Sequence, residues 1–447
     1  MIFLPAWLIV LLFGAGLLHL MGQPQHPKPP KELLSFKPQG FIFGEYRRFL
    51  RKPQYFTKSE QTDGHILIVG GPGSGKSSGL AIPSLLAWRS SIFAIDIKGE
   101  LSAATAHKPG KRKVFNPMVP DAWGCDPYDW LRDSDNPAQE STDIVQSILP
   151  VPPDIKDPHW IDSARNMLMG FMLHYCHEGV PFIETMIHIV SRPVEAHVKY
   201  IYEYTRSEEA QRYFNGFIGM ESKRLADYYT EISNKIMVFV TDKNIQRAFS
   251  SSKNISPRDL EDDCSIYLNI PEDMLDQWNV PVNLIVRKFL KHFERRPDKN
   301  AKPILFLLDE FPRLGKLEAT SKALGTLRSK KIIMCIIIQS PAQLDMVYGH
   351  AACRVIMGNC TYKAILEACD ADTQEYFSRL VGTQSVVQQG ESTSYAPDHE
   401  EEWGHTVSSH DADQRIIKPH EFATLKDVVL LSPWGCCRAG KIKSVDD

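Results

Sequence analysis

No two of the nine cysteines are spaced as Cys-x-x-Cys, and no group of histidines has the spacing of a metal site. Those absences argue against a disulfide framework and a cysteine-based metal centre. The cysteines, at 125, 176, 264, 335, 353, 360, 369, 436 and 437, include several inside apolar runs. They read as reduced thiols used as small hydrophobes, and the adjacent Cys436-Cys437 pair reads as packing. His405, His410 and His420 match no metal motif and receive no ligand role. A strong net charge is missing too: 51 Lys and Arg stand against 54 Asp and Glu, for a net −3. No global basic field pulls the chain onto nucleic acid, so any such contact must be local. Internal repeats are absent. At 447 residues the chain can nonetheless hold two domains with full cores.

One long apolar run does occur, at the amino terminus. "MIFLPAWLIVLLFGAGLLHLMG" offers about twenty residues with no acidic or strongly basic side chain, enough to cross a bilayer. The basic segment that opens a cleaved signal peptide is lacking. Lys28, Lys31, Lys37, Arg47, Arg48, Arg51 and Lys52 follow, against Glu32 and Glu45. That excess of positive charge marks the cytoplasmic side. Residues 1–22 are therefore expected to be a single transmembrane anchor, with the body of the protein in the cytosol. "QPQHPKPPKE", residues 23–32, reads as a semi-extended spacer.

"HILIVGGPGSGKSSGLAIPSLL", residues 65–86, fits the phosphate loop G-x-x-x-x-G-K-[ST] in full. Ile66 to Val69 read as a buried strand and a helix is expected from about Lys76. Gly70, Gly71, Pro72, Gly73, Ser74, Gly75, Lys76, Ser77 and Ser78 are the expected nucleotide-binding residues. Glycines here permit positive φ, so successive backbone N–H groups can converge on phosphate oxygens. The helix dipole adds to that attraction. Lys76 would reach the β- and γ-phosphates, and the Ser77 hydroxyl would hold Mg²⁺. In "KPILFLLDEFPRLGKLE" an apolar run, Ile304 to Leu308, leads directly into Asp309 and Glu310. Such a run is a strand buried on both faces, and its carboxyl end is where open α/β sheets bind ligands. Asp309 can hold the Mg²⁺ shell through water and Glu310 can polarise the attacking water, which points to ATP hydrolysis.

"SSIFAIDIKGEL" gives a further strand ending at Asp96, "KRKVFNPM" a shorter one, and "KKIIMCIIIQS" another ending at Gln339. Between the early strands and Asp309 the pattern is helical. In "DPHWIDSARNMLMGFMLHYCHEG" a cap-like Asp157-Pro158 precedes a stripe of Ile161, Ala164, Leu168, Phe171 and Met172. "ESKRLADYYTEISNKIMVFVTDKNIQRAFS" continues in that style, and "CSIYLNIP" returns to the sheet. The expected division is an anchor at 1–22 and a spacer and lead-in at 23–62. A nucleotide-binding domain in two parts, 63–150 and 263–447, then encloses an all-α insertion at 151–262. Residues 388–414 read as a solvated surface loop.

In this order, "DIKGEL", "LLDEFPRLGKLE", "IIIQSPAQLDMVYG" and "RIIKPHEF" behind the phosphate loop resemble TraG/VirD-type coupling proteins of type IV secretion systems. The resemblance covers roughly residues 40–443. It implies an α/β RecA-like P-loop NTPase domain with an all-α insertion, assembled as a hexamer at the bacterial inner membrane. It implies ATP and Mg²⁺ as cofactors. The implied partners are DNA, a relaxase or relaxosome, and the ATPases and inner-membrane components of a secretion channel. Carried over by position, Lys76 and Ser77 bind phosphate and Mg²⁺, while Asp309 and Glu310 are the metal and water-activating carboxylates. Gln339 is the polar sensor on the neighbouring strand, and Arg328 matches an arginine that reaches the next subunit's nucleotide. The family usually has two membrane spans and often a long carboxyl-terminal tail, whereas one span and no such tail are read here. An FtsK-like translocase would be expected to carry a separate DNA-reading module, which the sequence does not show. A non-hydrolysing docking receptor would not need Glu310, and a membrane span disfavours a cytosolic kinase. On the helical insertion Lys223, Arg224, Lys235 and Lys243 are candidate phosphate contacts.

Overall fold

The computed structural model describes residues 29–47, 51–132, 134–151, 159–298, 301–394 and 404–442. The expected anchor, residues 1–22, and the Asp157-Pro158 cap lie outside them. Among the described residues no helix is long and apolar enough to cross a membrane.

Fourteen strands are present among the described residues: β1 (Leu34–Ser35), β2 (Phe41–Tyr46), β3 (Gln54–Lys58), β4 (Ile66–Val69), β5 (Ile92–Asp96), β6 (Lys111–Phe115) and β7 (Cys264–Asn269). They continue with β8 (Ile304–Leu308), β9 (Ile332–Ile338), β10 (Tyr362–Ile365), β11 (Thr383–Ser394), β12 (Gly404–Arg415), β13 (Asp427–Ser432) and β14 (Gly435–Gly440). Twelve of them form one sheet in the order β1-β3-β2-β14-β13-β10-β4-β9-β8-β5-β7-β6. From β10 to β6 every neighbour is parallel. From β10 outward to β1 every neighbour is antiparallel.

The central strands are apolar at every position because both faces are covered. Ile66, Ile68, Ile92, Ala94, Leu305, Leu307, Cys335 and Ile337 point into one core. Leu67, Val69, Phe93, Ile95, Phe306, Leu308, Ile336 and Ile338 point into the other, which runs on into the helical insertion. The alternation follows from the two-residue period of a strand. Thiol usage is mostly as the sequence suggests. Cys125, Cys264, Cys335, Cys353, Cys360 and Cys437 are buried free thiols, but Cys369 is exposed.

Two sequence expectations change here. Residues 388–414, expected as a solvated loop, lie largely in a two-stranded antiparallel ribbon, with Thr383 opposite Arg415 and Ser394 opposite Gly404. Its polar sequence carries no apolar alternation by which a strand could be recognised. The stretch 23–62, expected as a spacer and lead-in, supplies β1, β2 and β3 to the sheet's antiparallel wing.

Among the described residues, every named element from Pro127–Arg132 to Pro257–Glu261 is a helix. Ile161, Ala164, Leu168, Phe171 and Met172, the stripe read from the sequence, are all buried. Leu225, Ile232, Ile236 and Phe239 form the buried edge of the helix Ser222–Thr241. The insertion closes on itself at its neck. Gly124 N–H donates to Lys253 O at 2.7 Å, Ile255 N–H donates to Gly124 O at 2.9 Å, and Cys125 N–H donates to Ala248 O at 2.9 Å. Only glycine fits there, since a Cβ on Gly124 would sit 2.1 Å from Ala248 O and 2.3 Å from Ser251 Cβ. Gly124→Ala must push those two backbones apart. It should lower stability by about 2 kcal/mol or more, measured by denaturant unfolding of the variant against wild type. An unchanged midpoint would show that the neck is slack.

Candidate nucleotide site

The register of the parallel strands brings four chain ends level. Val69 lies opposite Ile338, and Leu308 lies opposite Ile336 and Ile95. Three further backbone bonds extend this seam: Gly70 N–H to Ile338 O at 3.2 Å, Asp309 N–H to Ile95 O at 3.4 Å, and Leu366 N–H to Val69 O at 2.9 Å. The phosphate loop, Asp309, Glu310 and Gln339 therefore leave the sheet along one edge.

After Val69 the loop folds back tightly. A Cβ on Gly70 would meet Ser74 Oγ at 2.4 Å, and Gly75 sits at φ 95°, ψ 23°. Pro72, Gly73 and Ser78 are exposed, while Gly71, Ser74 and Lys76 are buried and Gly75 and Ser77 half-buried. The helix opens with a wide turn over Lys76–Ala81, in which Ile82 N–H reaches back to Ser77 O. Lys76 Nζ donates to Gly70 O at 2.7 Å and Gly71 O at 3.0 Å, so the ammonium lies in the concavity of its own loop. Burial lowers its pKa below the ordinary lysine value, opposed by Glu310 and Asp309.

Burial likewise pushes the Asp309 carboxyl up to about 6, with Glu310 and Asp96 adding to the shift and Lys76 and Lys98 opposing it. Asp96, the end of β5, accepts from Leu101 N–H at 3.3 Å and Ser102 N–H at 2.7 Å. It thus caps the short helix Glu100–Ala104 and is spoken for structurally. Glu310 adopts φ 48°, ψ 44°, a left-handed backbone that disfavours any residue with a Cβ. Its Oε2 accepts from Gln339 Nε2 at 3.1 Å. Oxygen donors at Ser77 and Asp309, with Lys76 and the glycine-rich loop, suit a Mg²⁺–polyphosphate.

Arg328 stands apart. It is exposed, on the short turn Arg328–Lys330 that precedes β9. β9 spans seven residues, so Arg328 and Gln339 are separated by about 20 Å or more along the strand. The helix leading to it is pinned to the phosphate-loop strand by His65. Met334 N–H donates to His65 Nδ1 at 3.1 Å, so the proton is on Nε2, which donates to Leu324 O at 2.7 Å. Burial pushes this imidazole down to about 4, and it stays neutral.

Sequence reasoning missed three residues that shape the loop. Lys441 Nζ donates to Ser74 O at 3.2 Å from the far end of the chain. A Cβ on Gly71 would come within 3.2 Å of Glu367 Oε2 and 3.3 Å of Cys369 Sγ, so the segment after β10 walls the loop. None of the three belongs to a motif; only the sheet order reveals them.

The family model for type IV secretory system conjugative DNA transfer matches residues 25–433. This chain belongs to that family. It is 27% identical over 411 residues to the protein VirD4 of Agrobacterium fabrum (strain C58), covering 88% of this chain and 60% of VirD4. It is 28% identical over 370 residues to a conjugal transfer protein TraG of Escherichia coli, covering 74% of this chain and 56% of TraG. The chain therefore spans somewhat under two thirds of these curated relatives. The plasmid coupling protein TrwB, solved with the non-hydrolysable ATP analogue ADPNP, superposes with a TM-score of 0.67 at 18% identity, covering 91% of this chain and 89% of TrwB. The mixed α/β fold of the family member is thus the fold of TrwB.

Ionised Asp309 costs the folded state whatever burial takes from it. Its folded pKa, about 6, lies above the ordinary aspartate value of 3.8. The penalty is therefore full above about pH 6, shrinks as pH falls through that window, and is gone below about pH 4. Asp309→Asn should stabilise the nucleotide-free protein by about 2 kcal/mol at pH 7.5 and by nothing at pH 4. Denaturant midpoints at both pH values check this; a gain that persists at pH 4 would assign it to packing.

Proposed function

We propose that this chain is an ATPase coupling relaxosome-bound DNA, or protein substrates, to a type IV secretion channel and driving transfer by ATP hydrolysis. The observation that carries the proposal is the convergence of the phosphate loop, Asp309, Glu310 and Gln339 on the level ends of adjacent strands. Family membership supplies the cargo class. TrwB's complexes with ADPNP and with ADP and Mg²⁺ support ATP and Mg²⁺ as the ligands here.

The roles follow from position. Loop amides and Lys76, released from Gly70 O and Gly71 O, hold the β- and γ-phosphates. Ser77 Oγ and, through water, Asp309 would hold Mg²⁺, which would offset the phosphate charge that an attacking water must approach. Glu310 orients that water and draws its proton, with Gln339 steadying the carboxylate. For DNA, Lys223, Arg224 and Lys243 are exposed and Lys235 half-buried along helices of the insertion. They are local phosphate contacts on a chain with no global basic field. The amino-terminal apolar run supports a single-pass inner-membrane anchor with the motor in the cytosol. Arg328's exposure, at the opposite end of β9 from Gln339, supports a hexameric ring in which it serves a neighbour's nucleotide.

Two variants separate binding from chemistry. Lys76→Ala should abolish ATP binding. Glu310→Gln should bind ATP as wild type does and hydrolyse it about 10²-fold or more slowly. Binding of a fluorescent ATP analogue and phosphate release decide; wild-type turnover by Glu310→Gln would remove the assignment.

A mixing experiment tests Arg328. Arg328→Ala and Glu310→Gln should each lose about 10³-fold in rate. Mixed in one assembly, some interfaces join an intact pocket to an intact arginine and recover part of the activity. Full hydrolysis by Arg328→Ala alone, or no recovery in demonstrably mixed assemblies, rules out the trans role.

A further inference from the structure

The helix Pro341–Tyr348, which follows β9, grips the Glu310 turn at two points. At its carboxyl end the Tyr348 ring stacks on Phe311, with centroids 5.3 Å apart and planes 14° apart. The Tyr348 hydroxyl accepts from Leu317 N–H at 3.1 Å and donates to Gly315 O at 3.4 Å. At its amino end, Gln343 Nε2 donates to Gln339 Oε1 at 3.2 Å, and Gln339 Nε2 donates to Glu310 Oε2 at 3.1 Å.

The direction of this chain of bonds is fixed by chemistry. An ionised carboxylate only accepts, so Gln339 must turn its NH₂ toward Glu310. Its oxygen then faces the helix and needs a donor there, and that donor is Gln343. Gln343's own Oε1 is buried and has no partner among the described residues. Leaving an acceptor unsatisfied is unfavourable, and an apolar residue would avoid it. Packing alone therefore does not explain a glutamine at this position.

We propose that Gln343 is a positioning residue for hydrolysis, locking the Gln339 amide so that its N–H groups, not its oxygen, face Glu310. Glu310 Oε2 is then occupied, and Oε1 is left to accept from water. The proposal rests on the ATPase reading above, but the bond direction can be measured without turnover.

Substitutions of opposite hydrogen-bonding sense test it in the full chain. Gln343→Glu offers only acceptors, so its carboxylate competes with Glu310 for the Gln339 N–H groups and the lock on the amide is lost. kcat should fall about a hundredfold, with affinity for a fluorescent ATP analogue within twofold. Gln343→Lys still offers donors and should stay within about tenfold of wild type. Gln343→Met removes the contact without adding a competing acceptor and should fall between them. A role in packing alone would make the three alike, or would show in affinity and folding instead of kcat. Equal kcat in the Glu and Met variants, or wild-type kcat in the Glu variant, overturns the proposal even if the Lys variant does not fold.

In parallel, ¹⁵N-glutamine labelling reads the Gln339 side-chain amide, assigned by its loss in Gln339→Glu. Its signal should move in Gln343→Glu and hold its place in Gln343→Lys. An unmoved signal in the Glu variant overturns the relay whatever the turnover. A wild-type protein that hydrolyses no ATP, with amide signals responding as stated, overturns the ATPase reading and leaves the relay standing.

Discussion

Val69 lies opposite Ile338 and Leu308 opposite Ile336, and from that register the rest of the site follows. A parallel ladder has no freedom to slip, because a shift of one residue would turn every buried side chain toward the wrong core. β9, between β4 and β8, carries apolar side chains into both cores and is buried throughout. Holding β9 in place therefore holds the phosphate loop on one side and the acidic pair on the other. Function at the strand ends depends on hydrophobic pattern within the strands.

The strand ends are also where folding and chemistry conflict. Lys76, Asp309 and Glu310 are all buried, and burial works against the charge on Lys76 and Asp309. Glu310 adds a left-handed backbone. Strain and desolvation of this kind persist only where surrounding structure over-determines them. Here the determinants are visible: Phe311 stacked on Tyr348, Arg313 N–H bonded to Glu310 O at 2.8 Å, and Asn279 Nδ2 bonded to Leu314 O at 3.0 Å. A ligand carrying both anionic phosphate and a cation complements these charges.

What the sequence revealed, and what it withheld, divides along physical lines. Continuous apolar runs such as Ile304–Leu308 and Ile332–Ile338 announce doubly covered strands, and glycine spacing announces the phosphate loop. Much of the antiparallel wing was illegible because β2 (FIFGEY), β3 (QYFTK) and β14 (GCCRAG) break their apolar residues with glycine, polar or charged side chains, so no continuous run announces them. The ribbon β11–β12 was illegible because its residues are mostly polar along both strands. At the site, residues acting through a motif could be named in advance. Glu367 and Lys441 act through proximity that only the fold creates, and so do Tyr348 and Gln343, although both lie within "IIIQSPAQLDMVYG". Gln343 lies four residues past Gln339, and nothing in that spacing distinguishes a relay from an ordinary exposed helix face.

The neck at Gly124 brings the entry and the exit of the helical insertion together. Its two strands of backbone run side by side there, with Gly124 bridged to Asn254. For a segment whose ends already meet, closure entropy changes only with the logarithm of its length. Helices remote from the seam where Glu140 and Asp143 pair with Lys288 and Arg295 can be added, trimmed or exchanged while the ends of β6 and β7 stay where they are. The motor and the outer part of the appendage are thus free to diverge at different rates, one constrained by register and the other by that seam and the width of a glycine.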